Sequence, residues 1–388
     1  MFFMTEEIQQ PDSGAARGGL LQGVRKLFFA QPVLVIAFLA ALISVCIVPP
    51  DREYLGYCNR AVLIQLFGLM TAVAGVRGAG VFDLFTAAML RRAGTVRRLG
   101  LMLMLLCFFT SMLVTNDVVL LTFVPLTILI FREIPDETSR IRTIVLETAA
   151  ANLGSMLTPV GNPQNLYLYA KYELTAGTFL KTLLPAGILS LAMLTLLCML
   201  LLPASPCKPA AQQRVTVKKP AALAFFVLFG ICLCSVFRLI SDLYILPAAL
   251  VIALLADRKA LAKADYALLA TFVCFFVFVG NIARIEAVSG AVSAMLSGHE
   301  LLLSAALSQV ISNVPAAVML AGFTGEGTAL LLGVNIGGLG TLIASLASLI
   351  SFQFYRKSPG ADTGRYFRTF TAVGFGMLAV LLGFSLLI

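Results

Sequence analysis

The sequence predicts an all-α polytopic membrane protein made of two inverted repeats, each with a re-entrant helical hairpin and a broken transmembrane helix. Three observations predict it. The 388-residue chain is 60% apolar and only 12% charged, where an ordinary soluble domain carries about a quarter charged residues, so its apolar surface calls for lipid. Two pairs of half-length apolar arms flank polar tips. One polar motif occurs twice, once in each half. The same composition excludes a nucleic-acid-binding domain, a secreted disulfide scaffold, a coiled coil and a disordered chain.

A bilayer-spanning helix needs about 20 mostly apolar residues. Nine such stretches lie near 31–50, 61–77, 143–170, 177–203, 221–237, 243–256, 266–283, 328–355 and 369–388. A polar tail, 1–30, precedes a first transmembrane helix within 31–57 that lacks an A-x-A cleavage site and reads as a retained anchor. With residue 1 in the cytoplasm, 22 of the 28 lysines and arginines fall on the inner side. Arg52, Arg60, Lys171, Lys181, Arg238 and Arg284 remain outside. The positive-inside rule then places the N-terminus in the cytoplasm and, with nine spans, the C-terminus outside; a bacterial inner membrane is the expected location. The net charge of +9 is thus a topology signal, and no nucleic-acid partner is expected. The eight cysteines read as small apolar residues, since six lie in apolar runs and Cys58 and Cys207 fall near opposite faces.

The first repeat, 58–203, holds the hairpin 99–131. Its arms, 101–114 and 118–131, reach only about 21 Å each, short of a ~30 Å hydrocarbon core. Arg97 and Arg98 before the pair and Arg132 after it favour the same face, so Thr115-Asn116-Asp117 becomes a tip inside the membrane. A polar linker, 204–220, separates the halves. In the second repeat, 221–388, the hairpin 300–323 has arms 301–311 and 316–323 around Ser312-Asn313-Val314-Pro315. His299, Glu300 and Glu326 flank it, so it enters from the other side. Residues 79–98 and 284–298 read as amphipathic interfacial helices.

Each half also has a broken helix, 143–170 and 328–355. Asn152-Leu-Gly-Ser-Met-Leu-Thr158-Pro-Val-Gly161-Asn162 aligns without gaps on Asn335-Ile-Gly-Gly-Leu-Gly-Thr341-Leu-Ile-Ala344-Ser345. Pro159 and Pro163 break the first helix, and Gly338 and Gly340 offer bare backbone in the second. Interrupted helices in inverted repeats are a feature of secondary transporters. Helix N-termini offer N–H groups and positive dipole ends to anions, and C-terminal carbonyls suit cations.

Asn116 and Asp117 are the sharpest candidates. A carboxylate at membrane depth costs about 2.5–3.5 kcal/mol on insertion scales, so Asp117 should be paired, protonated or bound to a cation; the bland reading has it cap the arm beginning at Val118. Asn313 reads as both cap and site residue. Asn162 and Asn165, with Gln164, suggest a liganding loop rather than a simple kink. Glu147 is expected to face a cytoplasmic vestibule or pair with a nearby arginine. One histidine, His299, leaves no multi-histidine metal site or histidine-based triad, so no enzyme and no cofactor are expected beyond a coupling ion.

Thr115-Asn116-Asp117-Val-Val-Leu-Leu-Thr-Phe-Val-Pro125 resembles the hairpin motif of the ion transporter superfamily, which holds the arsenite permeases, citrate transporters and divalent-anion/sodium symporters. Ser312-Asn313-Val314-Pro315 and Gly333-Val-Asn335-Ile-Gly-Gly338-Leu-Gly340-Thr341 resemble its second-half motifs. The resemblance implies a scaffold plus a mobile transport domain carrying both hairpins, as a homodimer with an elevator-like motion. It implies substrate contacts from Thr115, Asn116, Asp117, Gly161, Asn162, Asn165, Ser312, Asn313, Val314, Gly340 and Thr341. It implies coupling-ion sites for sodium or protons from Asn116, Asp117, Thr158, Asn162, Asn313, Asn335 and Gly338. The third tip residue is Asp in one half and Val in the other, unlike the Ser-Asn-Thr tips of the divalent-anion symporters, and no arginine occupies either tip. The expected function is ion-coupled secondary transport of small anions, di- or tricarboxylates such as citrate or succinate leading. The alternatives are an arsenite efflux permease or Na+/H+ antiporter of the same fold, and then an anion channel.

Overall fold

The computed structural model describes residues 31–84, 94–134, 136–207 and 216–387. The tail 1–30, the middle of the stretch 79–98 and linker residues 208–215 lie outside the described residues. Almost everything else is helical, and an isolated bridge between Thr95 and Pro206 is the one β pairing among them. The chain is an all-α polytopic membrane protein. Among the described residues, five helices are long and apolar enough to cross a membrane.

Those five are α3 (Arg60–Gly78), α8 (Ala176–Leu201), α9 (Lys219–Val236), α12 (Tyr266–Ala283) and α18 (Thr363–Ser385). The span expected near 31–50 folds shorter than predicted, whereas the one expected near 243–256 is helical along its whole length. α1 (Pro32–Ile47) begins with Pro32 in its first turn and ends before Pro49-Pro50, where the pre-proline residue leaves helical geometry. α10 (Ile245–Ala256) follows a 3-10 turn, Asp242–Tyr244. A short α2 (Tyr54–Tyr57) joins α1 to α3, and α11 (Lys259–Ala262) joins α10 to α12.

The polar-tipped segments fold as short helix pairs. α4 (Val96–Thr110) and α5 (Asn116–Ile130) are each 15 residues long, with Thr115 at the join. α14 (Glu300–Ile311) meets α15 (Asn313–Leu320) at Ser312. α13 (Glu286–Leu296) precedes α14 at an angle of 111°. The stretches 143–170 and 328–355 are each two helices. α6 (Glu137–Ser155) stops before Pro159 and α7 starts at Pro163 (Pro163–Lys171). α16 (Gly327–Ile336) and α17 (Leu346–Arg356) are separated by the Gly-rich run. Proline at the first position of α7 loses nothing, because that N–H has no intrahelical partner.

Two groups of helices emerge. α1 packs on α12, and α9 and α10 pack on α3. Buried amide–hydroxyl bonds pin these pairs: Asn281 Nδ2 donates to Ser44 Oγ at 3.0 Å and Gln65 Nε2 to Ser235 Oγ at 3.2 Å. In the other group α4 lies on α6 and α14 on α16, while α5 lies on α17 and α15 on α7. α8 and α18 both pack on α6.

The α4–α6 contact is so close that only glycine fits at 154. A Cβ there would lie 2.1 Å from the Phe108 carbonyl oxygen, a backbone atom that cannot swing away. Gly154→Ala should therefore prevent the helices from seating, with loss of monodisperse protein on size-exclusion chromatography after detergent extraction. Gly230→Ala, where nothing lies within 4 Å, should leave the elution profile unchanged.

Candidate functional site

A cavity of about 820 Å³ lies between the two groups of helices. Four helices begin on its wall. Thr115 and Asp117 come from the start of α5, Asn162 and Pro163 from α7, Val314 and Pro315 from α15, and Leu346 from α17. Each start turns a positive dipole end toward the cavity, and such ends favour anions. α3 adds Leu66, Leu69 and Arg77; the α11–α12 turn adds Lys263 and Asp265.

Arg77 has a local reason for its place. Pro125 inside α5 has no N–H, so the Leu121 carbonyl four residues before it has no helical donor. Arg77 Nη2 donates to that oxygen at 3.1 Å. Lys263 Nζ lies against Gly78 of the same α3 turn. Neither cation was singled out from the sequence, where both read as topology charges. The only sequence signal was Pro125, which announces an orphaned carbonyl without naming its donor.

Asp117 sits in the first turn of α5, not before it. The helix starts at Asn116, and Thr115 is its N-cap residue. The capping interpretation is thereby corrected: Asn116 Oδ1, not the Asp117 carboxylate, accepts the Asp117 N–H at 3.0 Å. Asp117 faces the cavity, as does Asp265, whose Oδ1 also caps α12 by accepting from Leu268 N at 2.9 Å. Among the described residues no lysine or arginine forms an ion pair with Asp117.

Behind this wall runs a hydrogen-bond network with matched bonds from the two halves. Asn116 N donates to Gly161 O at 3.3 Å, and Asn313 N to Ala344 O at 2.9 Å. Thr158 Oγ1 donates to Met112 O, and Thr341 Oγ1 to Gln309 O at 2.9 Å. Asn162 Nδ2 donates to Asn335 Oδ1 at 3.1 Å, and Ser345 Oγ to Asn152 Oδ1 at 2.9 Å. Asn335 Nδ2 donates to Asn165 Oδ1 at 2.6 Å, and Asn152 Nδ2 to Ser348 Oγ at 3.4 Å. In each couple the broken-helix residues stand at the offset that aligns the two motifs, and the arm residues stand at matching distances from the two tips. The first two couples tie each tip to the broken helix of its own half. The last two cross between halves.

Some bonds have no counterpart. Asn116 Nδ2 also reaches Asn152 Oδ1 at 2.9 Å. Asn165 Nδ2 gathers the Ser155, Met156 and Thr158 carbonyls where α6 stops, at 3.0–3.3 Å. Gln309 plays that part in the second half: its Nε2 donates to Gly337 O at 2.8 Å and its Oε1 accepts from Thr341 N at 2.9 Å. A lone glutamine in an apolar arm was its only sequence signal. At the second tip Ser312 holds φ +79°, a backbone conformation that costs a non-glycine residue of order 1–3 kcal/mol.

Of the residues expected to touch substrate, Thr115, Asp117, Asn162 and Val314 line the cavity. Asn116, Gly161, Asn165, Ser312 and Asn313 are buried directly behind them, as is Asn335 of the expected ion sites. Gly338 and Gly340 flank a separate narrow crevice with Asn152 and Ser348. Gly340 adopts φ +99° and faces the Gln309 amide, which a Cβ would meet at 2.3 Å. Thr158 and Thr341 hold the ends of α4 and α14 through the carbonyl bonds above. Glu147 departs from its expected place. It is fully buried, it pairs with no arginine, and its Oε1 accepts from Thr127 Oγ1 at 2.5 Å. The α6–α5 contact closes over it, so no vestibule reaches it.

Sequence comparison adds to this geometry. A profile of the citrate transporter family matches residues 22–325. The chain is 35% identical over 342 residues to Inner membrane protein YbiR of Escherichia coli, covering 84% of this chain and 87% of that one. It is 33% identical over 297 residues to Uncharacterized transporter MJ0456 of Methanocaldococcus jannaschii, covering 75% and 80%. It is also similar, at 32% over 142 residues, to the Silicon efflux transporter LSI3 of Oryza sativa, there covering 36% of this chain and 28% of the other.

Proposed function

The chain belongs to the citrate transporter family, and on that premise we propose that it is an ion-coupled secondary transporter of small anions. The observation that carries this reading is the meeting of four helix starts on one cavity. Their dipole ends, with Arg77 and Lys263, give an anionic substrate a favourable potential. Di- and tricarboxylates of the citrate or succinate class fit a cavity of about 820 Å³ with spare room. A coupling cation, sodium or a proton, offsets the charge of Asp117 beside the substrate. The matched bonds support two structurally related halves, here read as inverted repeats. The separation of the molecule into a frame (α1, α3, α9, α10, α12) and a tip-bearing group supports alternating access by motion of the second group.

A second reading is favoured by the partial similarity to a silicon efflux transporter and by the two carboxylates on the cavity wall. It is proton-driven efflux of a neutral hydroxylated oxyacid of the arsenite kind. Flux into proteoliposomes separates the two. Citrate, succinate, sulfate and arsenite are offered under imposed sodium or pH gradients. The first reading expects saturable, gradient-dependent uptake of a carboxylate; movement of arsenite alone supports the second, and flow that never saturates points to a channel. Arg77→Gln should raise KM for the transported anion about tenfold with a smaller effect on kcat, because one cationic group leaves the cavity wall.

A further inference from the structure

We propose that Glu147 is a second proton-binding site, remote from the cavity and loaded with one proton in this conformation. The inference rests on the carrier reading and names a proton as one of its coupling ions. Glu147 has no solvent exposure at all. Its Oε1 takes the Thr127 hydroxyl at 2.5 Å, and its Oε2 is buried with no hydrogen-bond partner among the described residues. A carboxylate in such a place would be a buried charge with one oxygen unsolvated, and burying a charge unpaired is far costlier than burying the neutral acid.

The groups facing it supply no positive charge. α4 presents Cys107, α8 presents Cys198 and α18 presents Tyr366, each close enough to feel the Glu147 charge. α5 presents Thr127. α17 contributes Ser351 and, farther along, Tyr355; α16 has no titratable side chain. On α6 itself the nearest cations are already engaged: Arg140 pairs with Glu137 at 2.6 Å and Arg142 donates to Leu201 O at 2.6 Å.

A polar seam toward the cavity wall starts beside Glu147. Next to it Thr148 Oγ1 donates to Ser351 Oγ at 2.8 Å. One turn on, Asn152 bonds Ser348, Ser345 and Asn116, the residue beside Asp117. This polar seam between α6 and α17 lies within the tip-bearing group. A rearrangement that parts α6 from α5 or α17 would let water reach Oε2, so the proton would be taken up on one face of the membrane and released on the other.

Glu147→Gln separates this role from simple packing, because glutamine keeps the shape and the oxygen that Thr127 bonds. Infrared difference spectroscopy of the purified full-length protein against E147Q at neutral pH should show the carbonyl stretch of a protonated carboxylic acid present only in the parent. No such difference overturns the proposal. In proteoliposomes loaded with a pH-sensitive dye, with citrate and arsenite as probes, E147Q should move one proton fewer per substrate; an unchanged ratio also overturns it. If the parent moves neither probe, the carrier reading fails, and the infrared arm alone decides the site. Should E147Q not accumulate, Thr127→Val carries the test: loss of its hydroxyl should shift the acid band toward that of a free carboxylic acid, and an unshifted band overturns the assignment.

Discussion

Asp117→Asn should cut gradient-driven uptake by on the order of a hundredfold while leaving the protein folded. The substitution is nearly isosteric, and no hydrogen bond or ion pair of the Asp117 carboxylate to another described side chain would be broken. What it removes is the negative charge that the proposed coupling ion answers. Loss of a factor of a hundred corresponds to about 2.7 kcal/mol, a reasonable size for one charge–ion contact in a partly buried site. The informative measurement is paired. Gradient-driven accumulation should disappear, and exchange of labelled for unlabelled substrate across the same vesicles should persist in part. Equal and full retention of both would show that the carboxylate has no part in coupling.

Asn335→Leu should be the most damaging change in the polar network. The Asn335 amide accepts from Asn162 and donates to Asn165 and to the Leu331 carbonyl at 2.6–3.1 Å, all within a buried region. Leucine keeps the branched shape, is somewhat bulkier, and leaves these groups without partners. Unpaired buried polar groups cost about 1–3 kcal/mol each, so a total loss of about 2–4 kcal/mol is expected after relaxation. The thermal unfolding midpoint in detergent should fall by several degrees, and transport should fall with it, since Asn162 loses the bond that fixes it on the cavity wall. Asn335→Asp keeps the acceptor for Asn162 but loses the donor to Asn165, and should fall between the two. A leucine variant as stable as the parent would mean that the network is not what joins the halves.

The tips and breaks were legible in the sequence because polar residues inside apolar runs stand out against the demands of lipid. Thr115-Asn116-Asp117 and Ser312-Asn313 needed no partner to be noticed. Their wiring was hidden. Asn162 and Asn335 are 173 residues apart, and nothing local to either names the other; only the aligned motifs hinted that they are counterparts. The same blindness put Glu147 in a vestibule: its neighbours in sequence include arginines, while its actual partner, Thr127, is on another helix. Arg77's second role went unseen for the converse reason, since a basic residue at a helix end serves topology so often that another role is invisible. Span length failed at α1 because its apolar run continues to the prolines that end the helix.

The first described helix, α1, does not rest on its neighbour in sequence. It rests on α12, more than two hundred residues later, while α10 of the later half rests on α3 of the earlier one. The halves are clasped rather than set side by side. During synthesis α1 and α3 emerge long before the surfaces that receive them, with the Ser44 hydroxyl and the Gln65 amide waiting in lipid for Asn281 and Ser235. Assembly is therefore a late, concerted event, and a chain truncated after the linker would hold two orphaned faces rather than half a machine.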